Sequence, residues 1–141
     1  MRTKCRPVTV FDEKLHQLLD DMHETLDKAE GVGLAAPQVG YCRRFFIMHL
    51  GDMRIEAINP EIKKVSGKQY VLEGCLSVPN KWGYVTRPNK CKFRAQNRNG
   101  EWYEMTLTAL GAQCVCHENA HLDGQLFICL LYTSPSPRDR G

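Results

Sequence analysis

His117 and His121 stand four residues apart in the stretch CHENAHLDG (116–124), with Glu118 directly after the first histidine. On a helix those two positions share one face, so both imidazoles can grip a single metal ion. Two imidazoles leave such a site incomplete, because a catalytic metal generally takes three protein ligands and keeps one position for water. Around them Ala109, Leu110, Ala112, Cys114, Val115, Ala120 and Leu122 make the helix apolar over much of its circumference, which predicts burial. Polar side chains in a buried helix need partners, since leaving one unpaired costs several kcal/mol. One metal would satisfy both histidines.

The third ligand must come from elsewhere in the chain. Cys114 and Cys116 are nearest in sequence, but neither fits. Cys116 is turned about 100° from His117, and Cys114 lies a full turn earlier, beside the wrong end of the pair. Cys75, in EGCLS (73–77), is placed differently. It reads as extended chain next to Gly74, where a small neighbour lets the backbone come close to a site. A thiolate there would complete a four-coordinate catalytic centre, with a glutamate such as Glu73 as its rival.

The elements that must position these groups can be read from periodicity. Leu15, Leu18, Leu19, Met22 and Leu26 predict an amphipathic helix over 12–30, with Asp12 as N-cap and Gly31 as its stop. His16 and His23 on that helix read as surface or boundary residues. GVGLAAPQVG (31–40) is too rich in Gly and Pro for regular structure. Strands are expected at 43–50 and 53–60 around Gly51-Asp52, with His49 packed inside the first. Residues 68–79 read as extended chain running into a Pro-bounded loop. Residues 90–109 form a hairpin around Asn99-Gly100. The second helix covers 109–122 and is closed by Gly124. Helix, antiparallel strands, helix is an α+β order: antiparallel sheets packed around a central metal-binding helix, with an N-terminal amphipathic helix.

Bulk properties exclude several classes. The 141 residues suit one domain, 43% hydrophobic and 25% charged. A net charge of +3 without a clustered basic face gives no nucleic-acid site. No apolar run approaches the roughly 20 residues of a membrane helix, and no signal peptide is visible. Seven scattered cysteines favour free thiols in a reducing cytoplasm. YTSPSPRDRG (132–141) has no apolar periodicity and reads as a non-native or disordered tail, leaving 1–131 as the catalytic domain.

Three separated stretches carry a resemblance. GVGLAAPQ (31–38), EGCLS (73–77) and HENAH (117–121) match, in order, the signature motifs of the peptide deformylases. The intervening text, including INPEI and SVPNKWGYVTRP, also resembles that family from about residue 2 to 131. The resemblance implies an enzyme that removes the N-formyl group from the formylmethionine of newly made polypeptides, releasing formate. It implies a divalent metal held by Cys75, His117 and His121, with Fe²⁺ first and Zn²⁺, Ni²⁺ or Co²⁺ compatible with the same donors. Glu118 would take a proton from the metal's water and pass it to the leaving amine. The Gln38 amide and the Leu76 backbone N–H would hold the developing oxyanion, at about 3 kcal/mol per donor by analogy with other oxyanion holes. Val32 and Gly33 would pair with the substrate backbone as with an added strand. The partner would be the nascent N-terminus, with transient ribosome association and no membrane.

The chain also departs from the family pattern. Cys116 and Ala120 replace residues that many members have as Gln and Asp, and Gln113 stands where an apolar residue is usual. Relative to the family it looks about ten residues short at the front, with its tail replaced. A zinc peptidase would usually take its third ligand downstream, where Asp123 is the nearby candidate. A dinucleotide site at Gly31, Gly33 and Ala36 lacks the preceding strand and meets Pro37. A closed structural metal site would have no need of Glu118 or Gln38.

Overall fold

The computed structural model describes residues 4–74, 82–123 and 131–132. Its elements in chain order are α1 (Glu13–Ala29), β1 (Gly31–Ala35), a 3-10 turn (Ala36–Val39), β2 (Phe45–Leu50) and β3 (Met53–Ser66). They are followed by β4 (Gln69–Gly74), β5 (Trp82–Arg87), β6 (Lys90–Gln96), β7 (Trp102–Thr108), α2 (Leu110–Leu122) and β8 (Leu131–Tyr132). Six strands form one antiparallel sheet in the order β7-β6-β3-β2-β1-β8, and β4 with β5 makes a separate hairpin.

The run FFIMHL in β2 is apolar without alternation, the pattern of a strand covered on both faces. Its side chains divide accordingly. Phe45 and Ile47 join Leu15, Leu19, Met22 and Leu26 of α1 in one core. Phe46 and Met48 join Ala112, Cys114, Val115 and Leu122 of α2 in the other. The central sheet therefore lies between α1 and α2, and β2 is a wall of both cores. Leu19, Met22 and Leu26 are almost fully buried, and each contributes about 1.5–3 kcal/mol by leaving water.

Helix α1 begins where expected, with the Asp12 carboxylate accepting from the Leu15 N–H at 3.1 Å. Its end differs from the expected glycine stop: Glu30 takes the left-handed conformation (φ 54°), and Gly31 already belongs to β1. The 31–40 segment is also corrected. It is a buried strand followed by a 3-10 turn, because its backbone pairs with β2, Gly33 packs with no room for a side chain, and Gly40 ends the turn at φ 94°. β3 runs to Ser66, well past residue 60, and its register slips between Ile58 and Glu61, around Pro60, which has no N–H to give. β5 had no separate sequence signal. The 90–109 hairpin and the second helix form as expected, while Gly124 and residues 75–79 lie outside the described residues.

A polar chain also ties α1 to the sheet. His23 Nδ1 lies 2.7 Å from His49 Nε2, and His23 Nε2 lies 2.9 Å from Glu56 Oε2. Arg98 donates to both oxygens of Glu56 and to Asp20. Burial alone would raise the Glu56 carboxyl, but the hydrogen bonds from His23 and Arg98 prevail and bring it down to about 2. His49 is held below its ordinary range by burial, then by His23 and Arg54.

Both shifts point the same way. Glu56 stabilises the fold above its unfolded value of 4.5 and loses that contribution as pH falls toward 2; His49, a depressed base, loses its own as pH falls below 6.5. Urea unfolding at pH 7 and pH 3 is therefore expected to differ by about 2 kcal/mol from Glu56 alone. Glu56→Gln should flatten that dependence, and an unchanged pH slope in the variant would show that other groups set it.

Candidate functional site

Helix α2 is buried along most of its length, although it carries four polar side chains on its covered surface. His117 is 2% exposed, Glu118 fully buried, His121 7% and Gln113 4%. The helix starts under strain, since Ala109 before it has φ 51°; its N–H donates to Asn89 and its carbonyl accepts from Gln69 Nε2. At the other end the Leu122 carbonyl accepts from Arg44 Nη1 at 3.1 Å and from the Cys5 N–H at 3.0 Å. Those donors satisfy a terminal carbonyl and complement the negative helix end.

The expected spacing is realised. The His117 and His121 rings lie 5.0 Å apart between centroids, at 78° to one another. Two imidazoles one turn apart in a water-poor surround fit a divalent cation. Among the described residues no third group of ligand type joins them. Cys75 and Leu76 lie outside the described residues, and of Glu73 only the backbone is placed, in β4. Cys116, set aside as a ligand from its angle on the helix, contacts Cys91 of β6; this contact first, then burial, pushes the Cys91 thiol up.

Gly33 explains the glycine-rich strand in front of the helix. A Cβ built on it would lie 2.6 Å from Cys114 Sγ, 2.7 Å from Glu118 Oε2 and 3.0 Å from Glu118 Cγ. Glycine is thus required at 33 by the close approach of β1 to the glutamate. Val32 is fully buried in the α2-side core. Gln38, in the 3-10 turn packed against α2, accepts from the Ala35 N–H through Oε1 at 2.9 Å. That bond assigns the side-chain oxygen, so the other end of the amide is the NH₂ donor. The structure therefore sets Gly33 against Glu118, one residue from His117, where β1 meets α2, and packs the turn that carries Gln38 on the same helix.

Sequence reasoning missed the His23–His49–Glu56–Arg98 chain. Its members lie on α1, β2, β3 and the turn after β6, too far apart in sequence for any spacing to link them.

An α+β fold with a buried histidine–glutamate helix behind a glycine-rich strand defines the class of protein, and comparison with known proteins supplies the family. The family model described as Polypeptide deformylase matches residues 1–133, and the chain belongs to that family. The peptide deformylase of Caldicellulosiruptor bescii is 49% identical over 128 residues, covering 91% of this chain and 77% of its own length. Peptide deformylase 1 of Bacillus subtilis is 48% identical over 129 residues, covering 90% and 81%. Among solved structures, the Thermotoga maritima peptide deformylase superposes with a TM-score of 0.83 at 41% identity, covering 89% of this chain and 86% of that one. The chain is thus a hydrolase that removes the N-formyl group from the formylmethionine of nascent polypeptides, and its family uses a divalent metal. Among the described residues no helix is long and apolar enough to cross a membrane.

Proposed function

We propose that this chain performs deformylation with Cys75, His117 and His121 holding Fe²⁺, Glu118 moving the proton, and Gln38 with the Leu76 N–H receiving the oxyanion. The observation that carries this reading is the contact between β1 and α2, where Gly33 leaves room for the fully buried Glu118 one residue from His117. When bound, the metal supplies a Lewis acid that brings the pKa of a water toward neutrality. Glu118 takes that proton and returns it to the amine nitrogen as the C–N bond breaks. Gln38, its oxygen tied to the Ala35 N–H, directs its amide donor at the formyl oxygen.

Val32 and Gly33 lie on β1, whose far edge pairs with Leu131–Tyr132 in this structure. A substrate backbone added there exchanges that two-residue pairing for its own hydrogen bonds, which read no side chain. Specificity then rests on the pocket for methionine. The work is done in the cytoplasm, during transient association with the ribosome.

The test is formate release from a formyl-Met peptide by protein loaded anaerobically with Fe²⁺, or with Ni²⁺ or Zn²⁺. Cys75→Ser is expected to weaken Fe²⁺ affinity at least tenfold, read by metal analysis after dialysis against a chelator. Unchanged metal content and geometry in that variant would remove Cys75 from the ligand set. Cleavage of internal peptide bonds without formate would overturn the assigned reaction.

A further inference from the structure

Two of the seven cysteines meet outside the site. The segment before α1 lies beside the chain leading into β2 through a parallel bridge, Arg6 with Arg43. The Arg6 N–H donates to the Cys42 carbonyl, and the Arg44 N–H donates to the Arg6 carbonyl at 2.8 Å. That register sets Cys5 beside Cys42, with their sulfurs 3.5 Å apart. Cys42 faces solvent, whereas Cys5 is 5% exposed in the α2-side core. A disulfide needs about 2.05 Å between sulfurs, so closure asks each side chain for less than one ångström.

We propose that Cys5 and Cys42 form a peroxide-responsive dithiol that closes to a disulfide in the folded protein. In the first step the Cys42 sulfur attacks a hydroperoxide. The O–O bond breaks, sulfur gives up two electrons to become a sulfenic acid, and the departing oxygen takes the thiol proton. In the second step the Cys5 sulfur attacks the Cys42 sulfur. The Cys5 S–H and Cys42 S–O bonds break, the S–S bond forms, and the proton leaves with the hydroxyl as water.

The pair divides the labour by position: the solvent-facing sulfur meets the oxidant and the buried one resolves it. Burial, then the contact with Cys42, pushes the Cys5 thiol up to about 12, so it keeps its proton until the second step. The contact of Cys91 with Cys116 lacks this division, since Cys91 is fully buried and Cys116 half-buried, so neither sulfur faces solvent as Cys42 does. Closure would enclose α1, β1 and the Gln38 turn in one covalent loop. It would also anchor the residue whose N–H caps the end of α2.

The full chain, metal-loaded, is treated with a small excess of hydrogen peroxide, alkylated and digested with trypsin. The expected product joins peptides 5–14 and 29–43, two hydrogens lighter than their sum, and dithiothreitol reverses it. Cys42→Ser should leave Cys5 reduced, and Cys5→Ser should leave a sulfenic acid on Cys42 that dimedone traps. The oxidised chain should melt on the order of 10 °C higher, because the unfolded chain loses loop entropy. Recovery of Cys42 as free thiol, or its linkage to a different cysteine, would overturn the proposal. So would a Cys5–Cys42 link that lowers Tm or leaves it unchanged, because the folded geometry would then not present the pair.

Discussion

Glu118→Gln is expected to reduce kcat for formate release by a factor of about 10²–10⁴ while leaving bound metal unchanged. The substitution keeps shape and volume at a fully buried position, so the packing of α2 on β1 stays as it is. What it removes is the proposed proton acceptor beside His117. The proposed ligands His117 and His121 are untouched, so metal analysis and the melting temperature act as internal checks. KM should change little, since the carboxylate's contribution falls on the chemical step rather than on substrate binding. Normal turnover in this variant would show that another group carries the proton, and Glu118 would become a packing residue.

Gly33→Ala should lower both stability and rate, for one geometric reason. The new methyl would sit 2.6 Å from Cys114 Sγ and 2.7 Å from Glu118 Oε2, well inside contact distance. Both atoms belong to side chains enclosed in the α2-side core, where overpacking costs about 1–3 kcal/mol. Relief comes by pushing Glu118 away from β1, and a displacement near 1 Å at a reacting group costs about 10²-fold in rate. Gly51→Ala separates the two effects. Gly51 has a positive φ, +61°, which Gly33 has not, and a methyl there would meet nothing within 4 Å, at the turn between β2 and β3. It should cost about 1 kcal/mol of stability through the backbone and leave kcat intact. If the two variants lost stability alike and neither lost rate, Gly33 would have no part in placing the glutamate.

How much of this was legible beforehand depends on the range over which each signal acts. Helix α1 was visible because a 3.6-residue period is local, α2 because its apolar run carries two histidines one turn apart, and the hairpin because Asn99-Gly100 marks its own turn. The histidine pair and Glu118 were legible for the same reason, being neighbours on one turn. β1 was not. Its glycines suppress strand propensity, and Gly33 is there for contact with a helix some 80 residues later, shown by its approach to Glu118. The His23–His49 contact and the Cys5–Cys42 contact were equally hidden, since each joins elements brought together only by the sheet. Cys75 and Leu76 were identified through motif resemblance, and they lie outside the described residues.

Strand β2 has a consequence for how the protein tolerates change. Its odd-numbered residues hold one helix and its even-numbered residues the other, so the two hydrophobic compartments share a single partition. A partition cannot bulge toward one room without thinning the other. Mutational drift at Phe45 or Ile47 on the α1 side therefore carries through β2 toward α2, the helix that bears His117, Glu118 and His121.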